Sequence, residues 1–247
     1  MPRDAVTFDF HNTIAHSDAW FDLEVRHLVS AYLRWEAAEE GRQLDDAVLD
    51  DVDARYRVLR REIMDHGNEE TAEACISIVL KQASLPVDDT AIATGVEVMM
   101  REALAGAEPV PGSVETILAL RDAGVPLAVV SSAVYHPYLD WTLESFGVRD
   151  AFVQVTTSAS AGYYKGRPEI YWDALSALGV DPGEAVHIGD WHRWDVVGAQ
   201  RAGMRSVWYR RTADAPMEEG ALPHPTVETM VGADAVLLDV LRGGAAR

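Results

Sequence analysis

The chain has 247 residues, 48% of them apolar, with a formal charge of −19 and a pI near 4.7. That apolar content suffices for one large domain or two unequal ones, and so acidic a balance excludes a nucleic-acid or anionic-membrane surface, which needs clustered Lys and Arg. No apolar run reaches the roughly 20 residues of a membrane span, the first residues lead directly into a strand, and the single cysteine, Cys75, lies in a helical pattern, so a cytoplasmic protein acting on small molecules is expected, with Cys75 in the core.

Val6 and Phe8 form a short β-rich run that ends in a polar turn at Asp9. Apolar residues then recur at helical spacing: Phe21, Val25, Leu28, Tyr32 and Trp35, followed by Val48, Val52, Tyr56, Leu59 and Ile63. Cys75, Ile76, Val79 and Leu80 mark a third helix, and Ile92, Val96, Met99 and Met100 a fourth, so residues 19–104 are expected to be all-helical. Beyond Gly112 the texture changes to alternating units: helix 113–123, strand 126–130, helix 137–146, strand 152–155, helix 168–178, strand 185–188, helix 194–202 and strand 206–209. Short β-branched strands alternating with helices predict an α/β fold, a Rossmann-like doubly wound parallel sheet, and the tail 242–247 is expected to fray.

In such a sheet ligands sit beyond the carboxyl ends of the strands, so the residues following each strand carry the functional signal. They are Asp9, His11 and Thr13 after the first, Ser131 and Ser132 after the second, and Gly189, Asp190 and Asp195 after the strand ending at Ile188. Lys165 precedes the helix that begins at Pro168, and it is one of only two lysines, with Lys81, in a chain otherwise supplied with arginine. A single strand-end acid is commonly a helix cap, and a single lysine a solvated surface residue. Together, however, Asp9, Asp190 and Asp195 offer the hard oxygen ligands that Mg²⁺ takes, and a serine hydroxyl with an ammonium is suited to hold phosphate oxygens.

The segment VTFDFHNT (6–13) resembles the first motif of the haloacid dehalogenase-like hydrolases, an apolar strand followed by Asp-x-Asp-x-Thr. LAVVS (127–131) is similar to the second motif, KGRPEIY (165–171) to the third, and IGDWHRWD (188–195) with the following VVGAQRAGM to the fourth. The order and spacing of the four cover nearly the whole chain. The resemblance implies a core of residues 1–18 and 105–247, with 19–104 inserted as a helical C1 cap domain over the active site. It also implies that Asp9 is a nucleophile forming an aspartyl-phosphate, that Thr13 supports the motif turn and contributes to the phosphate site, and that Ser131 binds a phosphoryl oxygen. Ser132, where the family often has Asn, is placed beside the substrate, with a plain turn serine as the competing reading. Lys165 would neutralise the nucleophile and the transferring group, and Asp9, Asp190, Asp195 and the His11 carbonyl would hold Mg²⁺.

Position 11 departs from the pattern, because the family's phosphatases place there a second Asp that protonates the leaving group and then activates water. Histidine titrates near ~6.5 and can take over proton transfer, so His11 is a candidate acid-base residue. The expected activity is Mg²⁺-dependent hydrolysis of a small phosphate ester. Two alternatives stay open: a metal-independent 2-haloacid dehalogenase, which also lacks the second Asp, and a catalytically weak phosphate-binding or regulatory module. His16 and His192 lie near the site in sequence but read as solvated, Trp191 and Trp194 are candidates to wall the pocket, and Asn12, in place of the usual glycine, tolerates left-handed backbone angles.

Overall fold

The computed structural model describes residues 4–243. Strand β1 (Ala5–Phe8) is followed by a tight turn and the two-residue strand β2 (Ala15–His16). Then come α1 (Asp18–Asp22), a π-helical turn (Leu23–His27), and helices α2 (Leu28–Glu39), α3 (Asp46–His66), α4 (Ala72–Gln82) and α5 (Asp89–Leu104). Strand β3 (Glu108–Pro109) returns antiparallel beside β2, so the chain enters and leaves this helical segment through one two-stranded ladder. The remainder alternates: α6 (Ser113–Asp122), β4 (Leu127–Ser131), α7 (His136–Ser145), β5 (Gln154–Thr157), the single turn α8 (Ser158–Ala161), α9 (Glu169–Leu178) and β6 (Ala185–Gly189). A second π-helical stretch (His192–Gly198) runs into α10 (Ala199–Arg201), and β7 (Arg205–Tyr209), β8 (Thr226–Val227) and α11 (Ala233–Leu241) complete the described chain.

The main sheet is parallel throughout, in the order β5-β4-β1-β6-β7-β8. The expected α/β doubly wound sheet is therefore present. Strand β1 is central, pairing Phe8 with Val129 of β4 on one side and with Ile188 of β6 on the other. Alternation along each strand sends Val6, Phe8, Leu127 and Val129 into one apolar layer and Ala5, Ala128 and Val130 into the other, beneath Ile170 and Tyr171 of α9. The first layer continues into the helical segment through Trp20, whose ring stacks on Tyr138 with centroids 5.0 Å apart. No helix among the described residues is long and apolar enough to cross a membrane.

Three boundaries differ from the expectation. The strand expected at 152–155 forms at Gln154–Thr157, because the Phe152 N–H is spent on the Arg149 carbonyl at 3.1 Å, closing the turn at 149–151, while its ring meets Phe8 edge-on at 6.1 Å. The helix expected at 194–202 begins as the π-helical stretch at His192. The helical pattern expected from Phe21 onward begins as α1 and the π-helical turn Leu23–His27, and such turns often accompany functional sites. The fraying expected for 242–247 falls almost wholly outside the described residues.

Candidate active site

The sheet order makes β1 a topological switch point, its neighbours β4 and β6 leading away in opposite directions, which opens a crevice at their carboxyl ends. Asp9 leaves β1 there with its backbone N–H bonded to the Ile188 carbonyl at 2.8 Å. One carboxylate oxygen accepts from Lys165 Nζ at 2.5 Å and the other from Thr13 Oγ1 at 3.1 Å. The Asn12 backbone has φ of 63°, the left-handed conformation an asparagine tolerates, and its N–H bonds to the Ala15 carbonyl; this turn brings Thr13 back onto Asp9.

Lys165 is almost fully buried and bridges two acids, with Nζ also 2.7 Å from Asp195 Oδ1. Burial pulls the lysine pKa down, but the charges of Asp195 and Asp9 outweigh it and hold the ammonium well above its ordinary range. Burial likewise opposes ionisation of Asp195, yet Lys165 and His187 keep it well below the usual carboxylate range. Its second oxygen accepts the Trp191 backbone N–H at 2.8 Å, closing the loop after β6. Gly189 is required here, since a Cβ on it would collide with the Asp195 carboxyl group.

The charge is not balanced. Asp9, Asp190 and Asp195 each offer an oxygen within 4.8 Å of the others, against the single buried ammonium of Lys165. Burial pushes Asp9 up to about 6, and pushes Asp190, with the charges of Asp9 and Asp195 adding to it, up to about 8. Among the described residues the cation paired with Asp190 is the half-exposed Arg211, at 3.4 Å. A trio of hard oxygens whose joint ionisation is opposed by burial and mutual repulsion is a donor set that fits Mg²⁺.

These groups line a cavity of about 110 Å³ together with Ser131, Ser132, His11, Asn12, Phe21, Tyr164, Trp191 and Trp194. Its size is below that of the roughly 300–1,000 Å³ pockets that take drug-sized ligands, and it suits a phosphoryl group with a few further atoms. Asp9, His11, Ser131, Ser132, Lys165, Asp190 and Asp195, expected from sequence, thus converge on one space. Thr13 does not line it: fully buried, it reaches Asp9 from behind. Ser132 lines the cavity, and its hydroxyl accepts the Lys165 backbone N–H at 3.3 Å. Of the two histidines expected to be solvated, His192 is buried outside this cavity, whereas His16 is partly exposed and bonds Asn12 through Nδ1 at 2.7 Å.

His11 does line the cavity. Its ring stacks on Phe21 at 4.6 Å and 8°, with His16 parallel on 5.9 Å. Burial first, then the charges of His16 and Arg211, lower its pKa to about 4, so the imidazole is neutral around pH 7. Its Nε2 has no hydrogen-bond partner in the protein.

Sequence reasoning missed His187, Arg211, Phe21 and Tyr164. His187 is fully buried in β6, linking Thr7 Oγ1 (2.8 Å from Nδ1) to Asp195 Oδ1 (3.3 Å from Nε2). The signal was present: a histidine inside the apolar strand AVHIG, two positions before the strand-end glycine, needs a polar partner.

The protein-family model for haloacid dehalogenase-like hydrolase matches residues 3–203. The chain is 28% identical over 215 residues, 87% of each sequence, to glyceraldehyde 3-phosphate phosphatase of Methanopyrus kandleri. Among solved structures it is similar to a HAD phosphatase from Thermococcus onnurineus, with a TM-score of 0.63, 24% identity, and 99% of this chain and 100% of that one covered. It is also similar to the 2-haloacid dehalogenase from Pseudomonas syringae pv. Tomato, with a TM-score of 0.68, 21% identity, and coverage of 96% and 99%. At these identities the two structures establish the fold, and because one is a phosphatase and the other a dehalogenase, the fold does not choose the chemistry.

Proposed function

The chain belongs to the haloacid dehalogenase-like hydrolases, and from that premise we propose that it is a Mg²⁺-dependent phosphatase of small phosphate esters working through an aspartyl-phosphate on Asp9. One observation carries the reading: Asp190 stands beside Asp9 and Asp195 with only a long contact to Arg211, a surplus of negative charge that a divalent cation would neutralise. Mg²⁺ held by Asp9, Asp190, the His11 carbonyl and, directly or through water, Asp195 would offset the charge developing on the phosphoryl oxygens.

In the first step the Asp9 carboxylate attacks phosphorus, and the bond to the ester oxygen breaks with its electrons leaving on that oxygen. Lys165 and the Ser131 hydroxyl hold the phosphoryl group, while Thr13 and Ser132 fix the nucleophile and the lysine. In the second step water attacks the phosphorus of the aspartyl-phosphate and Asp9 is regenerated. A neutral imidazole at His11 is in the form that accepts the proton of this water. The helical segment 19–104 acts as a lid: Phe21 of α1 contributes a wall of the cavity, so displacing the segment opens the site. A small anionic substrate and the buried free thiol of Cys75 accord with a cytoplasmic setting.

The missing acid at position 11 favours one other reading, a metal-independent dehalogenase. Asp190 counts against it, because halide displacement by Asp9 gives that partly buried carboxylate no task. The two are separated by assaying phosphomonoesters, phosphonates and 2-haloacids with Mg²⁺ and with a chelator, beginning with glyceraldehyde 3-phosphate on the strength of the relative's name. Phosphate release that needs the metal supports the phosphatase. Metal-independent halide release would overturn it, and no turnover of any of the three would favour a binding module.

A further inference from the structure

A second cavity, of about 290 Å³, adjoins the reaction pocket and shares Asp190 and Trp191 with it. Trp191 and His192 form one wall, and Arg211, Thr212, Ala215 and Pro216 the other, beyond the last residue matched by the family model. The walls are tied together: His192 Nδ1 accepts the Glu218 backbone N–H at 3.0 Å, Trp208 Nε1 donates to the Asp190 carbonyl at 3.1 Å, and the His192 ring sits edge-on to Trp208 at 4.8 Å. Because Nδ1 accepts, the neutral ring carries its proton on Nε2, a buried donor that no protein atom accepts from. Trp191 is half exposed, an unusual placement for so large an apolar side chain.

Arg211 lines the second cavity beside Asp190, which lines both. Its guanidinium has one anionic neighbour, Asp190, at 3.4 Å, too far for the short paired bonds that an arginine forms with a committed carboxylate. A cation with spare donors, lining a cavity that shares Asp190 and Trp191 with the phosphoryl site, is placed to meet the far end of a substrate.

We propose that this cavity is the leaving-group subsite and that Arg211 binds a second anionic group, carboxylate or phosphate, at the end of a short-chain phosphate ester. The assignment rests on the phosphatase reading, but binding can test it without turnover. Dissociation constants are measured on the catalytically silent Asp9→Asn protein, with and without Arg211→Gln, for three esters. These are 3-phosphoglycerate, with a carboxylate end, propane-1,3-diol bisphosphate, with a phosphate end, and glyceraldehyde 3-phosphate, with a neutral end.

At least one anionic ester should bind about 10- to 100-fold more tightly than the neutral one, the range of a charged hydrogen bond, and Arg211→Gln should erase that advantage. Arg211→Lys should restore part of it, keeping the charge without the planar fork. Whichever anionic ester shows the advantage identifies the second group as carboxylate or phosphate. Equal affinity for all three esters, or an advantage that survives Arg211→Gln, overturns the subsite. If Arg211→Gln melts prematurely, Arg211→Lys decides: an advantage reduced but retained supports the subsite, and an unchanged advantage overturns it. Phosphate release by the wild-type protein is scored separately, so a failed subsite and a failed phosphatase reading give different results.

Discussion

Two buried ionic clusters lie on either side of the loop after β4, and they differ in how their charge is satisfied. In the first, Asp9, Asp190, Asp195 and Lys165 face a cavity, and Asp190 has one long contact. In the second, Arg60 and Glu69 pair through both guanidinium nitrogens, and Glu69 also accepts from Ser158 Oγ at 2.7 Å and the Glu70 N–H at 3.0 Å. Nearby Glu24 takes the Val134 N–H on both oxygens, at 3.0 and 3.1 Å, and Tyr56 donates to the Glu24 carbonyl at 2.6 Å. Every carboxylate oxygen of the second cluster has a partner, and the cluster ties the helical segment to the loop after β4 at Val134 and to the start of α8 at Ser158. Burial of charge alone does not mark a functional site. Charge left unmatched beside open space does.

The contrast breaks first at Asp9. Asp9→Asn is expected to lower turnover by at least about 10³-fold, since the amide is not a nucleophile, while the melting temperature stays near that of the wild type. In the closed cluster the effects should be reversed. Glu69→Gln leaves Arg60 buried without its counter-ion and should cost about 3–5 kcal/mol of stability in denaturant unfolding, with near-normal turnover by the molecules that remain folded. A stable Glu69→Gln protein with a damaged rate would mean that the second cluster also belongs to the chemistry.

A smaller effect sharpens the role of position 11. His11→Ala should reduce hydrolysis of one generic phosphomonoester by roughly 10² if the imidazole moves a proton, and His11→Asp should exceed the wild type if it does not. Equal rates for all three proteins would remove the side chain from the mechanism and leave it as a wall stacked on Phe21.

The smallest effect expected is on the pH dependence of stability. Asp9, Asp190 and Glu24 have folded-state pKa values raised above 3.8 or 4.5, to about 6, 8 and 8. Between those limits these three groups hold more protons in the folded chain, whereas His11 and His187, lowered from 6.5 to about 4, hold fewer and act the other way. Metal-free stability should thus fall chiefly as pH rises from about 6.5 to 8. The opposing shifts of Asp195 and Lys165 act outside this window, below and above it. Mg²⁺ should therefore raise the melting temperature more at about pH 8 than at about pH 5. Asp190→Asn should remove that response and Glu24→Gln should keep it. A response lost with Glu24 instead would place the cation in the wrong cluster.

The same contrast explains what the sequence could reveal. A parallel sheet fixes function to strand ends, so Asp9, Ser131 and Asp190 were legible as soon as β1, β4 and β6 were recognised. Lys165 was legible because lysine is rare in this chain. Arg60, Glu69 and Glu24 were not, since an acid or arginine on a helix ordinarily reads as a solvated face and only tertiary packing buries these three. Arg211 follows the last long strand in a stretch with no periodic pattern, and its position beside Asp190 depends on how the chain turns after β7. The stacking of His11 on Phe21 joins residues from the β1 turn and α1, and position 11 alone suggested an acid-base group, not an aromatic wall.

The central claim, that the open cluster transfers a phosphoryl group through Asp9, is tested most directly by acid-quenching the enzyme during turnover with Mg²⁺ and a phosphomonoester, then mapping the protein by mass spectrometry. A peptide containing Asp9 should carry one added phosphoryl group that disappears on mild alkaline treatment and is absent from the Asp9→Asn protein. Steady phosphate release with Asp9 unmodified at every quench time, and a matching rate from Asp9→Asn, would contradict the account.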